Sequence, residues 1–224
     1  MFFTYASLVM LLGALTGFAP TFFLRPMYYP SGLPVLLIAH GIVMTAWFVL
    51  LPIQAYLAES RRLRWHRPLG WASVGVAVLV VLTAPPVIVR SVPNGIAAGL
   101  PGFAVSFIFM TGILRVVFFA AMVATALWWR RIRPVHTRAL FLASLSNFAP
   151  ATARIATALG WNVVIVAFAY LVPFGLALVL HDRRTLMRTH PLTSYGIGAT
   201  ALIMLIPIGL LFAGATDVIV ASVR

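Results

Sequence analysis

The chain has 224 residues, 62% of them hydrophobic and 8% charged, with a formal net charge of +13. Soluble domains hold roughly 45–50% apolar and 25% charged residues, so a soluble globular fold is excluded. Cysteine and lysine are both absent, which removes disulfides, Cys-ligated metals, iron–sulfur clusters, Schiff bases and a P-loop lysine. The three carboxylates, Glu59, Asp182 and Asp217, are too scattered for a di-iron centre or a glycosidase dyad. Chemistry is left to five histidines, sixteen arginines and some hydroxyls.

A membrane span needs about 20 mostly apolar residues. Seven stretches qualify, at 4–24, 34–57, 68–89, 104–129, 139–158, 161–180 and 193–215. The fold class expected is therefore all-α, a polytopic transmembrane bundle of about seven helices forming a single integral membrane domain over 1–224. The first stretch has no charge before it and no small-residue cleavage site after it, so it reads as a true span and not a cleaved signal. Gly160 makes a very short link, which predicts antiparallel fifth and sixth helices. Pro52, Pro85, Pro86, Pro150, Pro173 and Pro207 fall inside spans and are expected to kink or break them, freeing carbonyls that neighbours must satisfy.

Positive residues collect in cytoplasmic loops. The loops after the second, fourth and sixth spans hold Arg61, Arg62, Arg64 and Arg67, then Arg130, Arg131, Arg133 and Arg138, then Arg183, Arg184 and Arg188. Only Arg25, Arg90 and Arg224 lie opposite. This bias predicts a cytoplasmic N-terminus and an external C-terminus. Aromatics agree, with Tyr28, Tyr29 and Trp161 at the outer boundary and Trp65, Trp128 and Trp129 at the inner one. The arginines sit in short loops and form no basic domain for nucleic acid. Anionic headgroups at the cytoplasmic face are their expected partners, each contact contributing about 1 kcal/mol; a soluble acidic protein or other membrane subunits would be the alternative.

His66, His136, His181 and His190 lie on the same rim. They read either as interfacial residues beside lipid phosphate or as metal or haem ligands. The residues a bilayer should reject are more informative. Arg115 and Arg154 fall inside spans, where an arginine costs roughly 2.5–3.5 kcal/mol at mid-bilayer. At ~1.5 Å rise per residue, His40 and Arg154 each lie about 8 Å outward of their span centres and Arg115 about 2 Å outward. Asn147 falls near the middle and Gln54 deeper toward the cytoplasm, below Trp47. No span carries a carboxylate to pair with this cationic group, and Asp217 is the only candidate on that side. Convergence of His40, Arg115 and Arg154 on one outer-leaflet pocket is expected. Its ligand would accept hydrogen bonds or carry negative charge, unless freed carbonyls beside Pro85, Pro86 and Pro150 satisfy the arginines instead.

The run Leu24-Arg25-Pro26, then His40, Trp47, Gln54 and His66-Arg67-Pro68-Leu69-Gly70, followed by His136, Arg138 and Arg154, resembles a family of bacterial membrane proteins of unknown function. That family carries a His…Trp…Gln…His-Arg-x-Leu-Gly segment and a later His-x-Arg…Arg. The resemblance covers residues 24–156, and Arg138-Ala139-Leu140 stands where the family has a Trp-Met pair after the first histidine. Its histidine pattern is loosely similar to b-type cytochromes and oxidase-assembly proteins. This implies a membrane redox or redox-assembly protein holding haem b or quinone, with His40, Arg115, Arg154, His66 and His136 as cofactor-binding residues and His40, His66 and His136 as metal ligands. Met110 is a candidate second axial ligand beside His40, and a haem between His66 and His136 is the other arrangement. The competing expectation is a non-enzymatic membrane subunit or lipid-binding scaffold. A seven-helix metal-dependent lipid hydrolase would need an intramembrane Asp and a His-x-x-x-His helix, both missing. Proton-coupled transport lacks intramembrane carboxylates.

Overall fold

A computed structural model describes residues 1–212, apart from the side chains of Val163, Val164, Ala167 and Leu211. Asp217 and Arg224 lie outside the described residues. Every regular element described is helical: α1 (Phe2–Phe18), a π-turn (Ala19–Phe23), α2 (Arg25–Tyr28), α3 (Val35–Glu59), α4 (Leu63–Ala97), α5 (Gly102–Trp128), α6 (Arg133–Ser146), α7 (Ala149–Ala158), α8 (Val163–Ala169), α9 (Leu171–Leu186) and α10 (Pro191–Phe212). Five stretches are long and apolar enough to cross a membrane: Phe2–Phe23, Val35–Glu59, Leu63–Ala97, Gly102–Trp128 and Pro191–Leu210. Their outward faces are oily, with Leu12, Ile42, Leu82 and Val117 each about 60% exposed, a surface that water does not tolerate over such an area.

The fifth and sixth expected spans differ from the sequence reading. Each is two shorter helices in series, α6–α7 and α8–α9. Pro150 and Pro173 supply no N–H to the turn before them, and at each break an aromatic side chain turns inward. Phe148 packs edge-on against Tyr170 with ring centroids 5.7 Å apart, and also meets Phe174 at the same distance. The third span differs in the opposite sense, because α4 runs through Pro68, Pro85, Pro86 and Pro93 for 35 residues. Pro85 and Pro86 sit on its exposed side, where their rings meet no neighbouring helix.

Two of the three carboxylates hold the bundle together at one end. Glu59, closing α3, accepts from the Phe3 and Thr4 N–H groups at 3.1 and 3.2 Å and from the Thr4 hydroxyl at 2.6 Å. It thus satisfies orphan donors in the first turn of α1, and the N-terminal amine lies 3.7 Å away. Asp182 is buried and ion-paired with Arg138, whose Nε donates at 2.9 Å. The other carboxylate oxygen accepts from the Thr193 hydroxyl at 2.6 Å and the His190 N–H at 2.9 Å. One carboxylate therefore ties α6, α9 and the start of α10. The sequence reading placed Arg138 among exposed loop arginines, but it is 3% exposed and inside α6.

Glycine supplies close approach at the other end. A Cβ on Gly17 would stand 2.5 Å from the Ala151 carbonyl oxygen, so its absence lets the backbones of α1 and α7 touch. The contact sets Arg154, one turn along α7, over the Phe18 ring at 4.2 Å.

Burial alone would raise the Asp182 pKa, but hydrogen bonds from Arg138, Thr193 and the His190 N–H outweigh it and hold the carboxyl below its usual range. Its contribution is present above the unfolded-state value of about 3.9 and is lost as pH falls through the lower folded value. Asp182→Asn leaves Arg138 buried and unpaired and is expected to destabilise the protein by roughly 3–5 kcal/mol. Thermal unfolding in detergent checks this, and the deficit should shrink as pH is lowered below about 3.9.

Candidate functional site

A cavity of about 520 Å³ opens between α1, the π-turn, α3, α4, α5 and α7. Its walls are mostly apolar, with Leu15, Phe48 and Ile88 among them, and its polar lining includes His40, Arg115, Asn147 and Arg154. The structure thus brings His40, Arg115 and Arg154 to one pocket. It leaves Met110 out, and Met44, one turn beyond His40 on the same helix, lines the wall in its place.

His40 is oriented by α4. Its Nδ1 lies 3.0 Å from the Thr83 hydroxyl, which also lies 2.7 Å from the Leu79 carbonyl. A carbonyl can only accept, and a hydroxyl has one proton. Both bonds form together when Thr83 donates to Leu79 and His40 donates from Nδ1. That tautomer leaves the Nε2 lone pair uncommitted.

The two guanidiniums are held differently. Arg154 donates to the Pro150 carbonyl at 3.2 Å and rests on Phe18. That carbonyl lies one turn earlier on the same helix, α7, so the contact is local to the helix. Arg115 makes no hydrogen bond or ion pair among the described residues. It feels Arg154 as a like charge and faces Tyr170, whose hydroxyl is buried without a hydrogen-bond partner. Thr21 in the π-turn also lines the cavity and has a buried, unpartnered hydroxyl. The cavity therefore offers an uncommitted guanidinium and an imidazole lone pair inside an apolar shell. Asp217, the candidate counter-charge, lies outside the described residues.

His66 and His136 form a separate pair at the end that carries the N-terminus. Their rings meet edge to face with centroids 6.5 Å apart. Both line a second cavity of about 70 Å³ together with Gln54 and Glu59. That volume is smaller than a porphyrin. His40 is not with them: it belongs to the larger cavity, fourteen residues before Gln54 on α3, or about 21 Å along the helix. No group of three or more His, Cys, Asp or Glu residues with metal-binding geometry occurs among the described residues. His181 stacks on Phe2 with centroids 4.3 Å apart, and the His190 ring caps the Leu192 N–H at 3.1 Å. Both have structural duties.

Sequence reasoning missed Thr83, Tyr170 and Thr21. Thr83 is one of several span threonines, and only its pairing with a residue 43 positions away marks it. No family model matches this chain, and neither a curated protein nor a solved structure matches it.

Proposed function

We propose that this chain is a seven-span bacterial inner-membrane protein, cytoplasmic at its N-terminus, that binds a quinone or quinol in the larger cavity and serves membrane electron transfer or its assembly. The observation that carries this reading is the uncommitted Arg115 guanidinium sharing an apolar cavity with an oriented His40 and no described carboxylate. A quinol fits that chemistry. One hydroxyl would donate to the free Nε2 of His40, and the opposite oxygen would accept from Arg115. The apolar walls would take the ring and the first part of its tail. The His40 Nε2 would accept from the hydroxyl it holds, and Thr83 would keep the ring in the accepting tautomer. Two half-spans in series, α6–α7 and α8–α9, support a seven-span reading in which broken helices border a ligand cavity.

Haem b remains the second reading because a bare Nε2 also ligates iron, with propionates against Arg115 and Arg154. It is weakened by the ligand count: His40 is the sole imidazole on the cavity, and Met44, one turn along the same face, cannot reach the opposite side of an iron.

Protein extracted in mild detergent is expected to carry quinone detectable by chromatography of an organic extract, and to lack a Soret band. Arg115→Gln and His40→Ala should each lower the retained quinone at least about tenfold, corresponding to roughly 1.4 kcal/mol. A Soret band that His40→Ala abolishes would establish haem instead. Protein that folds and carries neither would leave the scaffold reading. Topology is checked on the same cysteine-free chain: Cys placed at Ser31 or Asn94 should react with an impermeant thiol reagent from outside intact cells, and Cys at Arg61 should not.

A further inference from the structure

On the lining of the smaller cavity at the N-terminal end, Ser73's neighbour Gln54 and the ring of His136 have their N–H groups turned to partners elsewhere. Ser73 donates to the Leu69 carbonyl at 2.9 Å, so its oxygen can only accept from the Gln54 amide Nε2, 3.4 Å away. That fixes the amide orientation. Nε2 turns toward α4, where a Cβ on Gly70 would also meet it, and Oε1 is left buried with no partner. His136 Nδ1 lies 2.9 Å from the Ala126 carbonyl and must donate to it, which leaves Nε2 with a bare lone pair. The His66 Nδ1 is buried and has no hydrogen-bond partner.

An amide oxygen and two ring nitrogens, from the C-terminal part of α3, the first turn of α4 and the first turn of α6, thus belong to residues that line one space of about 70 Å³. Orphaned buried polar groups are costly, at about 1–3 kcal/mol each. Arg133 donates to neither the Gln54 Oε1 nor the His66 Nδ1, and a bound cation would satisfy both. We infer that His66, His136 and the Gln54 side-chain carbonyl form a binding site for a divalent transition-metal ion of the zinc class.

Two imidazoles and one oxygen are a borderline-soft donor set of the kind zinc takes, and they leave a position open for water or an external ligand. The 6.5 Å between ring centroids needs only small side-chain rotations for one ion to reach both rings at about 2.0–2.1 Å per bond. The Ala126 carbonyl supplies the outer hydrogen bond that orients a metal-ligating histidine and raises its basicity. Glu59, on the same cavity, contributes nearby negative charge while its oxygens remain bonded to the start of α1; Arg133 lines the cavity too and opposes it. The site is independent of the quinone reading, since none of its residues touches the larger cavity.

Full-length protein, purified through a tag without histidine and equilibrated with Zn2+, is expected to retain one equivalent per chain after dialysis. His66→Gln and His136→Gln should each weaken retention at least about tenfold, the smaller end of what orienting groups alone contribute. Gln54→Leu should weaken it less, and His181→Ala should leave it unchanged. Wild-type protein loaded with Cu2+ should show superhyperfine coupling to two nitrogens in its electron paramagnetic resonance spectrum, a readout that survives if the variants fail to fold. Absence of retained zinc and of two-nitrogen coupling would mean that the cavity holds only water and would overturn the site. So would stoichiometric zinc in a folded His66→Gln/His136→Gln double variant. In either case quinone retention is unaffected, so failure here is separable from failure of the larger cavity.

Discussion

A guanidinium inside a membrane bundle must find an acceptor, and this chain has almost no carboxylates to offer. The way Arg138, Arg154 and Arg115 solve that problem organises the molecule. Arg138 takes Asp182, and because Asp182 also accepts from Thr193 and the His190 N–H, the pair fixes α6, α9 and α10 together. Arg154 takes the Pro150 carbonyl one turn back on its own helix and an aromatic face. Arg115 takes neither. With Glu59 committed to the start of α1, the described carboxylates are spent at one end of the bundle and the unmatched cation stands in the other half. The same scarcity that stabilises the N-terminal end leaves the cavity in need of an acceptor.

Much of this was legible in the sequence. The cost of intramembrane arginine and the rise per residue were enough to set His40 and Arg154 at one depth with Arg115 nearer the middle, and the structure lines one cavity with all three. The helical class and the longer spans followed from apolar length alone. Arg138 was not legible. A positive residue one position before an expected span start looks like a topology signal, and only Asp182, 44 residues on, reveals it as a buried pair. Helix continuity was not legible either. Prolines in α4 and in the α6–α7 region look alike in sequence, yet α4 runs on through Pro85 and Pro86, and α3 through the buried Pro52, while the chain breaks beside Phe148, which meets Tyr170. That contact joins residues 22 positions apart, and local pattern does not contain it.

The spacing along α3 explains how two polar sites coexist in one apolar bundle. His40, Trp47 and Gln54 recur every seven residues, nearly two turns, and so share a face about 10 Å apart at each step. His40 meets the larger cavity and Gln54 the smaller one. Trp47 stands between them, 4% exposed, packed edge-on against Phe119, with its indole N–H donating to the Ser144 hydroxyl at 3.1 Å. Ser144 in turn donates to the Leu140 carbonyl at 2.9 Å. Every proton in that chain is committed and ends on a carbonyl that cannot pass it on. The middle of α3 is therefore a packed, hydrogen-bonded stretch between the two cavities, and no residue that lines one of them lines the other.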